Sequence, residues 1–202
     1  MVGNTIAPTL KAGELDAALA LTGPDSKGNH TLVGATAVKK GKDIEKLLKD
    51  FAPHLGQVAD FDFDVDTVGS FALHKISFKD LPEKLEKVFG TKKLWVAISD
   101  DYVVVSIEPE GTAIRAGLKA KAVPVPALDL EVHFAKVVPI MAGDIKQDEL
   151  KALFKDAFGD ASPAGNDTLH VTITGGEQLT VKGKLKGKSV RLLVGLKQLR
   201  GQ

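Results

Sequence analysis

Two periodicities take turns along this chain. "GELDAALALTG" and "HTLVGATAVKKG" are strand-like segments around "PDSKGN", a stretch of turn formers. "KDIEKLLKDFAPHL" then places Ile44, Leu47, Leu48 and Phe51 at helical spacing, with acids and lysines on the other side. Pro53 marks where that helix should stop. The same arrangement returns in "ADFDFDVDTVG", "SFALHKISF" and "KDLPEKLEKVFG", where Pro82 sits early in the helix and Gly90 just beyond it. It returns again in "KKLWVAIS", "YVVVSIEP" and "EGTAIRAGLKA". A looser copy has one strand, "ALDLEVHF", followed by "AKVVPIM" and "KQDELKALFKDAFG" as helices. The last has "DTLHVTIT", a Gly175-Gly176 turn, "QLTVKGKLKGK" and a terminal "SVRLLVGLKQL".

Strand, strand, helix recurs about every 35 to 40 residues with little identity between copies, so the repeat is one of pattern. This predicts an α+β protein: a mainly antiparallel sheet built from repeated β-β-α units, with helices packed on one face. Residues 1–202 are expected to form a single domain with one continuous sheet. A subdivision would fall near 119–127, "KAKAVPVPA", where Pro124 and Pro126 favour extended chain. "LWVAIS" and "YVVVSI" are apolar on both faces and joined by Asp100-Asp101, which predicts a central hairpin with Trp95 and Tyr102 in the core.

The segment "ADFDFDVDTVG" raises the first question of chemistry. Asp60, Asp62, Asp64 and Asp66 stand at every second position. A calcium loop must curl so that its oxygens converge at about 2.3 to 2.6 Å from the ion. Phe61, Phe63 and Val65 between the acids instead predict a strand, where side chains on one face recur at about 6.6 Å. The four aspartates are therefore expected on a wet face, with Phe61, Phe63 and Val65 buried opposite, and a metal site is disfavoured. A mirror image, Lys182, Lys184, Lys186 and Lys188, offers cross-strand partners if the two strands are adjacent.

Five histidines are the groups that titrate near neutrality. His30 and His54 border a turn and a helix end and read as surface residues. His133 and His170 alternate with polar residues and should face water, where two of them on adjacent strands could bind zinc without any spacing motif to support it. His74 shares its strand face with Ala72, Ile76 and Phe78. It is expected to be buried beside these residues and Leu81 or Leu85, neutral at pH 7, with a ring nitrogen bonded to a carbonyl or hydroxyl. It is also the one candidate for holding a cofactor such as haem or a metal, although no second ligand lies nearby in sequence.

Composition narrows the remaining classes. There is no Cys, which excludes disulfides, thiolate-ligated metals and a thiol nucleophile. The net charge of +1 supplies no field for nucleic acid, and of 27 basic residues only Arg115, Arg191 and Arg200 are the planar, bidentate kind. No Gly-x-Ser-x-Gly elbow, Walker loop or dinucleotide-binding turn occurs. No apolar run reaches the roughly 18 residues that cross a bilayer, and the start lacks the basic and apolar blocks of a signal peptide.

The stretch "DVDTVGSFALHKISFKDLPEKLEKVFGTKKLWVAISDDYVVVSIEPEG" resembles a family of uncharacterised exported bacterial proteins. The shared elements are a strand with an embedded histidine (His74), an amphipathic helix (Leu81 to Phe89) and a hairpin whose first strand is aromatic (Trp95 to Ile107). The resemblance implies a periplasmic or secreted location, as a mature or excised segment, and no activity.

These readings give a non-enzymatic binding or scaffolding module of a bacterial envelope or secreted protein, with no catalytic residues and no cofactor. Its partner would be a protein or an apolar small molecule. One rival is a carrier holding an apolar ligand between sheet and helices; another is a hydrolase using acidic residues. An interaction module should expose an apolar patch over a filled interior. A carrier should have a cavity of several hundred cubic ångströms between sheet and helices. An enzyme should have a cleft with at least two titratable groups of shifted pKa.

Overall fold

The computed structural model describes residues 16–120, 126–142, 145–159, 163, 165–174 and 180–200. The chain divides into two compact units, residues 1–121 and 122–202. In unit 1 the strand–strand–helix rhythm is realised three times. The copies are β1 (Ala17–Thr22), β2 (Thr31–Ala37) and α1 (Gly41–Phe51); β3 (Ala59–Val68), β4 (Phe71–Phe78) and α2 (Glu83–Phe89); and β5 (Lys93–Ile98), β6 (Tyr102–Ile107) and α3 (Thr112–Leu118). A 3-10 turn, Ala52–Leu55, follows α1 at Pro53.

The six strands form one antiparallel sheet in the order β1-β2-β6-β5-β4-β3. At its centre Leu94 pairs with Ile107 and Ile98 with Val103, the interior hairpin that two-sided apolarity predicts. Ser99 N–H donates to the Tyr102 carbonyl at 2.9 Å to close the turn. Trp95 is buried, whereas Tyr102 stands exposed at the hairpin end.

Alternation sends side chains to two faces. Leu73, Trp95, Ala97 and Val104 pack with Ile114 of α3 on one face. Ala59, Ile76, Val96 and Ile98 pack with Leu48 of α1 on the other. Helices therefore cover both faces, not the single face expected, because β4 and β5 present apolar side chains on both sides and each must leave water.

Helix α3 begins at Gly111, whose φ of 71° is a left-handed conformation that glycine adopts without strain. Having no side chain, Gly111 cannot cap the helix; Glu108 does so from the end of β6. Its Oε1 accepts from Ser106 Oγ and Ile114 N–H, and its Oε2 from Ala113 N–H, all at 2.8 Å. A buried carboxylate thus takes two orphan helix donors and sits at the positive end of the helix.

Unit 2 comprises β7 (Leu128–His133), α4 (Phe134–Ala142), α5 (Gln147–Phe158), β8 (Thr168–Thr174), β9 (Thr180–Leu185) and α6 (Gly187–Arg200). Its strands form a second antiparallel sheet, β7-β8-β9, so the strands make two sheets and not one. The repeat is only partly kept: β7 has no sequence-adjacent hairpin partner and pairs instead with β8, beyond two helices. The expected Gly175-Gly176 turn lies outside the described residues. Asp167, buried, repeats the device of Glu108: its Oδ2 accepts from Ala135 N–H at 2.9 Å at the start of α4. The core here consists of helix side chains, among them Val138, Leu153, Phe158, Leu192 and Leu196. No described helix in either unit is long and apolar enough to cross a membrane.

Candidate functional site

The aspartates of β3 do not converge on one ion. Each meets a different cation: Asp60 with Lys79 at 3.4 Å, Asp62 with Lys75 at 2.7 Å, Asp64 with Lys49 at 2.8 Å and Asp66 with Arg115 at 2.9 Å. The mirror-image lysines are not among these partners. Lys182 and Lys184 lie on β9, which pairs with β8 in the other sheet, and Lys188 lies in α6.

The alternation in β3 is broken in the middle. Asp62 pairs with Lys75 and Asp66 with Leu73, so Phe63, Asp64 and Val65 together stand opposite His74. The bulge is accommodated by Asp64 at φ 52°, a left-handed conformation that aspartate tolerates better than most side chains. Phe61 and Phe63 are half-buried as a stacked pair, but Val65 is exposed, contrary to strict period-two expectation. The bulge is what carries Asp64 to the side of Phe63 and His74.

Helix α1 supplies the rest of the cluster. Gly41 N–H donates to the Asp100 carbonyl at 2.9 Å, and any Cβ at Gly41 would collide with the Ser99 carbonyl. The close approach pins the start of α1 to the central hairpin. One turn on, Glu45 and Lys49 form an i,i+4 pair at 2.7 Å. Lys49 also reaches Asp64 and lies 5.7 Å from the Phe63 ring centroid. His74, fully buried, meets Phe63 edge-to-face at 5.5 Å and points Nε2 at Glu45 Oε1, 3.5 Å away.

His74 is therefore buried as expected, but its surroundings differ from expectation. It meets the carboxylate of Glu45 on α1, where Leu81 or Leu85 was expected. Its bonded partner is a donor: Asp64 N–H gives to Nδ1 at 3.0 Å. This fixes the proton of the neutral ring on Nε2, since a neutral imidazole has one donor and one acceptor nitrogen. Nε2 itself has no hydrogen-bond partner. Burial holds the His74 pKa below 6.5, against the opposing pull of Glu45 and Asp64, so the ring is neutral at pH 7.

Glu45, Asp64 and His74 each offer one ligand atom, all within 4.8 Å of one another. Two features oppose coordination. Ligation through Nε2 needs a lone pair there, while Nδ1 already serves as the ring's acceptor. The Lys49 ammonium bridges the two carboxylates, the place a cation would take. Its pKa is raised by hydrogen bonds to Asp64 and then Glu45, and Asp64 is lowered chiefly by its bond to Lys49. Both shifts deepen charge that exists at neutral pH, the opposite of what a general acid or base needs. The cluster is a closed ion-pair network around a neutral histidine. Glu45 and Lys49 were visible in sequence only as an ordinary helix pair.

The other histidines divide. His30 is buried, not a surface residue; its backbone N–H donates to the Val88 carbonyl at 2.7 Å, and neither ring nitrogen has a partner among the described residues. His54 is exposed. His170 is exposed and pairs with Asp129 at 2.7 Å; His133 lies 3.2 Å from Glu131. These four side chains share the polar face of the second sheet.

The opposite face of that sheet is apolar without interruption. Leu128, Leu130 and Val132 of β7 stand beside Ile173, Val171 and Leu169 of β8. These in turn stand beside Val181, Gly183 and Leu185 of β9. Among the described residues, no strand side chain belongs to the helical core of unit 2. Val181 is 60% exposed, Leu185 46% and Leu130 42%. Strand alternation predicts two faces here but gives no reason for the apolar side to remain exposed.

No protein-family model matches the chain, and no curated protein and no solved structure matches it either.

Proposed function

We propose that the protein is a non-enzymatic binding module of an exported bacterial protein, and that it binds a partner protein through the apolar face of β7-β8-β9. The observation carrying this reading is the pairing of that open face with a separate, well-filled helical core. The largest apolar patch on a monomer, commonly a few hundred Å², is often an interaction site. An exported setting is what the resemblance of residues 64–111 implies.

The hydrolase reading draws less support. Among the described residues the cleft beside the His74 cluster, about 350 Å³ in volume, is lined by Lys49, Pro53, Asp60, Phe61 and Phe63 among others. The hydrogen bonds of Lys49 to Asp64 and Glu45 raise its pKa and leave it firmly charged. The same cleft lies between α1 and β3 and is the feature a carrier would use. It is open to solvent, whereas a carrier's pocket buries most of its ligand's surface.

The test is a pair of substitutions, Leu130→Lys and Val181→Lys, made together. Both sites are exposed, so melting should change little, by an amount on the order of 0.5 kcal/mol per site. Binding of the hydrophobic dye 1-anilinonaphthalene-8-sulfonate to the native protein should fall several-fold. Unchanged dye binding by a folded double variant contradicts the proposal.

A further inference from the structure

We propose that the polar face of β7-β8-β9 is a binding site for a divalent metal of the zinc class. His133, His170 and Glu131 are its ligands, and the buried Asp167 is the carboxylate behind His133. The site lies opposite the apolar face and stands independently of the partner-binding reading.

Register brings the ligands together. Glu131 stands directly opposite His170, and His133 stands two positions further along β7, opposite Thr168. Directly opposed residues have Cβ atoms about 4.5–5.5 Å apart and diagonal ones about 7–8 Å, a span that imidazole and glutamate side chains can close onto one ion. The β3 aspartates lack this arrangement, because they follow one strand and each has its own cation. Here the acids pair with histidines instead: Asp129 Oδ1 lies 2.7 Å from His170 Nε2, and Glu131 Oε1 lies 3.2 Å from His133 Nε2. Lys184 stands beside His170 on β9 but forms no ion pair with either acid among the described residues. These four side chains are between 39% and 56% exposed, so they can turn from their pairs onto an ion.

Asp167 sets this cluster apart from ordinary surface pairs. Its backbone carbonyl accepts from Phe134 N–H at 3.0 Å and its Oδ2 from Ala135 N–H at 2.9 Å, which pins the carboxylate at the start of α4. The residue is 2% exposed, and its Oδ1 has no hydrogen-bond partner. That oxygen lies 3.9 Å from His133 Nδ1. A metal on Nε2 leaves the proton of the neutral ring on Nδ1, facing Asp167 Oδ1. Ligating histidines almost always donate their second N–H to such an acceptor. The His74 cluster has the reverse arrangement, with Nδ1 already accepting from Asp64 N–H and Lys49 between the carboxylates. Two imidazoles and one carboxylate suit zinc, whereas calcium and magnesium take oxygen ligands. The ion would displace Asp129 from His170 Nε2 and leave a fourth position to water.

Zinc chloride titrated into the full chain and followed by calorimetry should show one ion bound per chain. Imidazole NMR signals of His133 and His170 should shift, and that of His74 should not. His133→Ala and His170→Ala alter exposed side chains, so the fold should persist while zinc affinity falls. Asp167→Asn should weaken zinc roughly 10- to 100-fold with the ligands intact. In the zinc-loaded native protein the His133 Nδ1 proton should be protected from exchange by its bond to Asp167. Absence of zinc binding, or binding that survives the His133→Ala/His170→Ala double variant, overturns the site. Binding that is lost in Glu45→Gln instead belongs to the His74 cluster and also overturns it. Rapid exchange of the His133 Nδ1 proton, or undiminished affinity in Asp167→Asn, overturns the role of Asp167.

Discussion

The six-stranded and three-stranded sheets are built from the same alternating pattern, and they end in opposite states. At the centre of the first, both faces are closed: Leu73 and Ile114 on one side have no exposed surface and Ile98 on the other has 2%, while the edge strand β1 stays open, with Leu19 75% exposed. In the second, the helices that follow the strands pack on one another, and the strands keep an apolar face in water. The difference lies in connection. Unit 1 returns a helix after every hairpin, and α1 and α3 cover the central strands, one on each face. Unit 2 places two helices in a row after β7, and α4, α5 and α6 satisfy each other first. Apolar alternation specifies that a face should be buried; it does not specify what will bury it.

The contrast is most sharply broken by truncation. Leu73→Ala should cost about 3 to 4 kcal/mol, as fully buried large-to-small changes do. Val181→Ala should change stability by no more than about 0.5 kcal/mol, because 60% of the side chain is already in water. Denaturant melts of the two variants check this, and similar losses in both would mean the second sheet is covered.

Next in size comes the buried cap. Glu108→Ala leaves Ser106 Oγ and the N–H groups of Ala113 and Ile114 without their acceptor, and should cost about 2 to 3 kcal/mol. Glu108→Gln, which keeps one acceptor oxygen, should lose less. Equal melting temperatures for the two variants would show that the carboxylate charge, not its acceptors, matters at the start of α3.

A smaller effect concerns pH. The folded-state pKa of His74 lies below its ordinary 6.5, so the unfolded chain takes up the proton first. The contribution is complete above about pH 6.5 and declines as pH falls toward the folded-state value. Protonating Nδ1 would also set two donors, the ring and Asp64 N–H, against each other. Wild type should therefore lose stability between pH 6.5 and 5 relative to His74→Gln, whose amide oxygen can still accept from Asp64. Parallel pH profiles for the two proteins would contradict the buried neutral ring. The smallest effect belongs to Lys49→Met. Removing a cation that disfavours the imidazolium should move the His74 titration upward, as followed by imidazole NMR shifts.

Much of unit 1 was legible in the sequence because its signals are local. The Trp95–Ile107 hairpin follows from apolarity on both faces around a two-residue turn, and the burial of His74 from its neighbours Ala72 and Ile76. The bulge was not legible. Nothing in "DFDFDVD" marks Asp64 as the residue that leaves the alternation, since all four aspartates tolerate a left-handed conformation equally. The partners of His74 were hidden for a second reason: Glu45 lies 29 positions away and reaches it only because Gly41 seats α1 on the hairpin. Glu108 escaped notice because the cap comes from before Gly111 and not from the usual Ser or Thr. The split into two sheets was unreadable from strand pattern, which gives each strand's faces but not its neighbours.

The central claim, an apolar sheet face open to a partner, is tested most directly by the solvent accessibility of methyl groups. A soluble gadolinium chelate added to methyl-labelled protein should relax Leu130, Val181 and Leu185 strongly while leaving Leu73, Ile98 and Ile114 nearly untouched. Equal protection of both sets would mean that the second sheet is buried like the first, and would contradict the account.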